Sequence, residues 1–224
     1  MAIDILYDRE ATCLCCGKTF KTKKVRKSKL ILKKRDPDFC MHYEGESPYY
    51  YDISVCPHCS YAFSDSFSPI RKEYIDILEK EYLQKIGKVE LCGERNHQDA
   101  LRSYKLALLC GNFVNEPRIV LAGILLRIAW LYRFQGDTEE EKKYTVKALE
   151  QYTFVYEHED ANKAGLGEHR LWYLLGELNG AIGNMEEVRK WFNMIISDQT
   201  VEAALKKMTR ERWEVYKTKE GQEI

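Results

Sequence analysis

From about residue 68 onward, apolar residues recur at spacings of three and four, the period of helices with one buried face. Ser68-Pro69 reads as the cap of a first helix with the stripe Ile75, Leu78, Tyr82 and Ile86, stopped by Gly87. Asn96 caps a second, with Leu101, Tyr104 and Leu108 inward and Gly111 at its end. Asn115-Glu116-Pro117 opens a third that runs to Gly136. Asp137-Thr138-Glu139-Glu140 resembles a capping box for a fourth, reaching about residue 157. Further helices are expected over 168–182, 185–196 and 199–217. Before residue 64 the pattern is different. Residues 29–33 and 49–55 are rich in branched and aromatic side chains and read as strands, separated by turns at 36–38 and 44–48. The fold class is therefore mostly α. A small β module over residues 1–65 precedes a helical domain over residues 66–224.

Part of the helical region repeats. Gly136-Asp137 followed by Glu139-Glu140 parallels Gly183-Asn184 followed by Glu186-Glu187, an offset of 47 residues. An aromatic, apolar helix precedes each copy, and Ala148 and Ile195 hold equivalent inward positions after it. A weaker third copy shows only its second helix, with Ala100, Tyr104 and Ala107. With Trp172-x-x-Leu175-Gly176, the region over about 70–196 resembles tetratricopeptide repeats. Leu125, Ile128 and Ala129 depart from that signature while Tyr132 keeps it, and the period exceeds the usual one. The last helix would cap the open apolar face of the stack.

The resemblance implies a partner surface on the first helix of each pair. Counted from Trp172, the groove-facing positions include Tyr173 and Glu177, with Gly180 and Ala181 beyond. Their counterparts one repeat earlier are Leu126, Trp130, Arg133 and Phe134, residue types common at binding hot spots. The competing expectation is that Trp130 and Phe134 are core, covered by a neighbouring helix or by the N-terminal module.

Composition narrows the function. The chain has 35 basic and 35 acidic residues, which excludes a disordered polyelectrolyte and a chain binding nucleic acid through bulk charge. No apolar run is long enough for a membrane helix. The N-terminal residues lack the basic region and apolar stretch of a secretory signal, so a cytoplasmic location is expected. The first 63 residues carry too few apolar side chains for an adequate core of their own, a deficit that a structural metal would fill.

Cysteine spacing supplies that metal site. Six of eight cysteines precede residue 60, and Cys13/Cys16 and Cys56/Cys59 form two C-x-x-C pairs. Such spacing lets one tight turn aim two sulfurs at one point. Gly17 follows the first pair and permits a left-handed turn; Ser60 stands in that place after the second. Phe20 and Phe63 each lie four residues past their last cysteine, placed to pack the two turns together. Four thiolates suit one structural zinc per chain with no open position. Rubredoxins hold iron with the same pattern, so iron is the alternative. Cys15, between two ligands, is expected to point away from the metal. Cys40 and His42 offer other ligands but read better as alternate residues of a strand.

Residues 18–35 contain ten Lys or Arg and no acid. They read as a solvated hairpin face docked on the acidic helical part, or else as a binder of phosphate backbones. No catalytic residues are assigned. His97, His158 and His169 lie next to carboxylates in sequence, but at spacings that do not face each other on a helix.

The residues 38–45, with Asp38-Phe39-Cys40 and then Tyr43 and Gly45, resemble an uncharacterised bacterial protein family. Tyr51 followed by Val55-Cys56-Pro57-His58-Cys59, Gly93-Glu94-Arg95-Asn96 and Ala129-Trp130-Leu131-Tyr132-Arg133 extend the match over nearly the whole chain. The family has a double C-x-x-C module and a tetratricopeptide-like remainder, and it implies no activity. The expected function is a non-enzymatic adaptor for a protein or peptide partner. Its alternatives are a nucleic-acid-binding or regulatory protein using the basic hairpin, and a metal-thiolate redox protein.

Overall fold

The computed structural model describes residues 4–159 and 166–220. Its first element is a hairpin absent from the sequence reading. Strand β1 (Leu6–Thr12) pairs antiparallel with β2 (Thr19–Val25), Leu6 opposite Val25 and Thr12 opposite Thr19. The alternation in β2 is carried by Phe20 and Thr22 inward against Thr19 and Lys21 outward, so only one of its early inward residues is strongly apolar. β3 (Ile31–Arg35) pairs with β4 (Met41–Glu44), close to the expected strand at 29–33. The expected strand at 49–55 is mostly a 3-10 turn, Pro48–Tyr51, which buries the rings of Tyr49 and Tyr51. Pro48 presets the backbone for that turn. Only Ser54–Val55 pairs as β5, with β6 (Ala62–Phe63).

The first predicted helix is interrupted. α1 (Ile75–Leu78) and α2 (Gln84–Ile86) flank a π turn over Glu79–Leu83. Ser68 does not cap it; its N–H donates to Glu116 Oε1 at 2.9 Å, and helical structure starts only after Arg71. The buried residues are Leu78 and Tyr82, while Ile75, the first residue of α1, is exposed.

The remaining helices follow the predicted order. α3 (His97–Phe113) opens with reciprocal bonds between Asn96 and Asp99. α4 (Arg118–Gln135) follows Pro117 and ends at Gly136. α5 (Thr138–His158) and α7 (Met185–Ser197) are capped alike, by Asp137 and Asn184, each accepting an N–H three residues on. Gly136 and Gly183 precede those caps with φ of +78° and +86°, so the repeat seen in the sequence is a repeat of local structure. α6 (Glu168–Ala181) lies between them, and α8 (Ala203–Glu220) follows, starting later than residue 199.

From α3 to α8, each helix packs on the next, giving a mostly α stack with small antiparallel strand pairs at its N-terminal end. At Gly176 the stack tolerates no side chain, because a Cβ there would run into the ring of Phe192 on α7. Gly176→Ala should therefore destabilise the chain by about 1–3 kcal/mol through overpacking. Urea denaturation would show this, and an unchanged midpoint would refute it.

The module and the stack share one core. A single apolar cluster runs from Cys13, Phe20, Val55 and Phe63 through α3 and α4 to Tyr216. Arg95 stitches the two parts. Its guanidinium is buried and donates to the carbonyls of Tyr50 at 3.0 Å, Ile53 at 2.8 Å and Leu91. The residue 65/66 boundary thus separates two kinds of secondary structure, and packing crosses it.

Candidate metal centre

Two turns of identical hydrogen-bond pattern bring the cysteines together. In the first, Gly17 N–H donates to the Cys13 carbonyl at 3.0 Å and Cys13 N–H to the Lys18 carbonyl at 3.0 Å. In the second, Ser60 N–H donates to the Cys56 carbonyl at 2.8 Å and Cys56 N–H to the Tyr61 carbonyl at 2.9 Å. Gly17 and Ser60 both take positive φ, +70° and +62°. Serine is uncommon there. Here its side chain and carbonyl are put to use. The Ser60 hydroxyl donates to the Gly87 carbonyl at 2.8 Å and accepts from Val89 N–H at 3.0 Å. Its carbonyl accepts from Tyr82 Oη at 2.8 Å, so the second turn is tied to the interrupted helix. Phe20 and Phe63 meet edge to face at 6.5 Å, as their spacing predicted.

The sulfurs of Cys13, Cys16, Cys56 and Cys59 all lie within 4.8 Å of one another. Cys13 and Cys59 are 3.6 Å apart, and Cys16 and Cys56 3.7 Å. The edge of a tetrahedron of thiolates around a metal at 2.3 Å is about 3.8 Å, so the donor set matches a four-sulfur shell in size. No cysteine is in a disulfide. Cys15 stands between two of these cysteines. Its sulfur is not among the four, and its backbone N–H donates to Cys13 Sγ at 3.4 Å. Beneath the second turn sits Cys110 of α3, buried, its sulfur accepting from Ala62 N–H at 3.4 Å. Its place in the site was not legible, since nothing local marks a helical cysteine as reaching a distant turn.

Asp36, Cys40 and His42 form a second, separate group of possible ligand atoms. Their contacts are those of a hydrogen-bonded turn. Asp36 Oδ2 meets His42 Nε2 at 2.7 Å and Arg133 Nη1 at 3.0 Å, and Asp36 Oδ1 meets Lys34 Nζ at 2.7 Å. A cation placed here would face the guanidinium of Arg133.

The turn over 36–40 corrects the expected partner surface. Its acidic tip occupies the proposed groove. Asp38 Oδ2 accepts from Trp130 Nε1 at 2.9 Å and from Arg133 Nη2 at 2.8 Å, and Arg133 Nε also bonds Glu141 at 2.7 Å. Phe39, at φ +70°, lays its ring 5.4 Å from that of Tyr173 on α6. His42 and Tyr49 cover Phe134, and Tyr49 covers Trp130. Leu126, Trp130, Tyr173 and Glu177 are all buried, with Glu177 held by Arg212 at 2.9 Å and Tyr216 at 3.0 Å. Leu126, Trp130, Arg133, Phe134, Tyr173 and Glu177 therefore do not form a free groove. The module of the same chain fills it, because the apolar and cationic surface there is best covered by an aromatic and acidic turn.

The basic stretch does not dock on acidic helices. Among the described residues, Lys23 pairs with Asp8 at 3.0 Å, Lys33 with Glu44 at 2.8 Å and Lys34 with Asp36, all within the module. β3 is exposed along its whole length, including Ile31 and Leu32. The three histidines take separate surroundings. His97 Nδ1 meets Tyr50 Oη at 3.2 Å, while its neighbour Asp99 serves the helix cap. His158 lies 3.7 Å from Glu157, and His169 lies 3.8 Å from Asp198. Asp160, its other sequence neighbour by charge, lies outside the described residues.

Fold and site together define a class of protein, a four-cysteine knuckle module clamped onto a helical stack. Residues 6–216 match the family described as uncharacterised protein conserved in bacteria, DUF2225, and the chain belongs to it. Neither the curated proteins nor the solved structures yield a match. Among the described residues no helix is long and apolar enough to cross a membrane.

Proposed function

We propose that this protein is a non-enzymatic adaptor for a protein or peptide partner, with one structural zinc held by Cys13, Cys16, Cys56 and Cys59. The observation that carries the reading is the set of four sulfurs at tetrahedral-edge spacing, on two turns packed against α3. A closed four-sulfur shell leaves no coordination position for a substrate, so the metal serves the fold. Zinc suits a site tied into a large shared core, whereas iron in the same shell would make a redox centre. The eight thiols, none in a disulfide, support a reducing, cytoplasmic compartment. The helical pairs are read as tetratricopeptide-like, supported by the matched caps at Asp137 and Asn184.

With the groove filled from within, this reading puts the partner on β3, where Ile31 and Leu32, at 58% and 52% the most exposed large apolar side chains among the described residues, stand among lysines. The same basic strand favours the second reading, binding to nucleic acid. Affinity capture from native cells by wild type, by Ile31→Ser/Leu32→Ser and by Lys27→Ala/Lys29→Ala/Arg35→Ala separates them. A protein retained at moderate salt and lost with the aliphatic pair supports the adaptor. Binding to DNA or RNA that falls steeply with salt and is lost with the basic triple variant establishes the other. Elemental analysis decides between zinc and iron.

A further inference from the structure

Strand β3 has one side without a neighbour. It pairs with β4 alone, in a two-stranded sheet. Of the described strands it alone is exposed at every residue. The two edges of this sheet differ. On β4, Met41 N–H donates to Tyr49 Oη at 2.9 Å, so the buried Tyr49 closes that edge. On β3, Asp36 N–H donates to the Cys40 carbonyl at 2.7 Å and closes the hairpin. Opposed residues of an antiparallel pair alternate between exchanging hydrogen bonds and turning them outward. Arg35, next along and opposite Met41, therefore turns its N–H and C=O away from β4. Outside the β3–β4 ladder, no group among the described residues bonds a backbone N–H or C=O of Ile31–Arg35.

The side chains say what fits beside that edge. Residues 27–35 include five Lys or Arg and no acid. Lys33 pairs with Glu44 and Lys34 with Asp36, while Lys29 and Arg35 make no ion pair among the described residues. Ile31 and Leu32 stand between those two cations, each more than half exposed. A row of unpaired backbone groups is a template for a further strand. A second copy of β3 would lay cations against cations, which is destabilising across a strand pair. A phosphate backbone would meet the charges and leave the aliphatic pair and the backbone row unused. An extended acidic segment with apolar residues between its acids answers the backbone row, the cations and the aliphatic pair together.

We propose that β3 accepts an extended acidic segment of a protein partner as a third strand of the β3–β4 sheet. This rests on the placement of the partner on β3, and adds how the partner is held and what chemistry it carries. The five residues of β3 span roughly 17 Å, so a short segment covers the edge.

The probe is a labelled peptide of about ten alternating valine and glutamate residues, titrated into the full chain and followed by fluorescence anisotropy. It should bind saturably at one site and slow hydrogen exchange at the Arg35 amide. The same peptide with its backbone amides N-methylated keeps charge and apolar surface, and should bind about tenfold more weakly or worse. A valine–lysine peptide should be weaker by a similar factor. Ile31→Ser/Leu32→Ser should lower affinity for the acidic peptide by about tenfold. Lys29→Glu/Arg35→Glu should move the preference to the lysine peptide. All four side chains are exposed or free of ion pairs, so thermal midpoint and metal content should match wild type in both variants. Equal affinity for the N-methylated peptide, an Arg35 amide that exchanges as fast as before, or no saturable binding of the acidic peptide would overturn the strand addition. If capture from native cells still requires Ile31 and Leu32 in that case, the partner surface stands and only its mode falls. Duplex DNA bound more tightly than the acidic peptide at β3, or a dimer lost with Ile31→Ser/Leu32→Ser, would also overturn it.

Discussion

Removing the metal is expected to destabilise the whole chain. Structural zinc contributes on the order of 10–16 kcal/mol in small modules at neutral pH. Loss of even a third of that would lower the thermal midpoint by roughly 10 °C for a chain of this size. A self-contained module would unfold alone and leave the helices intact. Here Phe20, Val55 and Phe63 belong to the same apolar cluster as α3 and α4, so the helices lose packing when the knuckles open. Chelation, or Cys56→Ser, should therefore shift a single transition seen equally by helical circular dichroism and by tryptophan fluorescence.

The binding should also depend on pH. The hydrogen bond that the Cys13 thiol donates to Cys59, and then burial, push that thiol well up, and burial pushes Cys56 up to about 11. A metal binds the thiolates, so loading at neutral pH must displace protons. Affinity then rises with pH and falls as the solution is acidified. Calorimetric titration with zinc in two buffers of different ionisation enthalpy would count the released protons. Protein purified without metal, and with a midpoint indifferent to chelator, would refute the site.

The second large effect is expected at Asp38. Its carboxylate satisfies Trp130 Nε1 and Arg133 together, and is itself buried. Asp38→Ala leaves Trp130 Nε1 buried without its acceptor and takes from Arg133 one of three carboxylates, Asp36 and Glu141 remaining, a loss of about 1–3 kcal/mol. The neighbouring Asp36 adds an acid limb. Burial alone would raise it, but hydrogen bonds from Lys34, His42 and Arg133 outweigh burial and hold it at about 2. Its contribution is thus fully present above the ordinary carboxylate pKa and is lost as pH falls from about 4 through about 2. Urea denaturation at pH 7 should show the large loss for Asp38→Ala. Asp36→Asn should flatten the acid limb. An Asp38→Ala midpoint within about 0.5 kcal/mol of wild type would mean the contact is no more than a surface pair.

These two expectations rest on different kinds of information. The four-cysteine cluster was legible because both pairs are local. A C-x-x-C turn carries its geometry within six residues, and Phe20 and Phe63 repeat the same offset. The helices were legible for the same reason, since caps such as Asn96, Asp137 and Asn184 act on N–H groups three residues away. The π turn inside the first helix was not, since no local signal marks it and Tyr82 within it is anchored to the distant Ser60 carbonyl. Arg95 likewise carries no local sign of its three carbonyl partners, although it falls in the Gly93–Asn96 segment that supported the family resemblance.

The groove shows where local reasoning stops. Repeat register placed Trp130, Arg133, Phe134 and Tyr173 on a shared surface, and in the structure that surface is covered by the chain's own 36–42 turn. Whether its occupant came from outside or from the same chain depended on contacts across more than ninety residues, as between Asp38 and Arg133. The sequence by itself determined the helices from α3 onward, the caps at Asn96, Asp137 and Asn184, the two knuckles and the aromatic, cationic character of that surface, because each follows from side chains a few residues apart. Only the tertiary structure decided that the 36–40 turn fills the groove and that module and stack share one core. Those outcomes depend on which distant surfaces exclude water together, and no short window of residues encodes that.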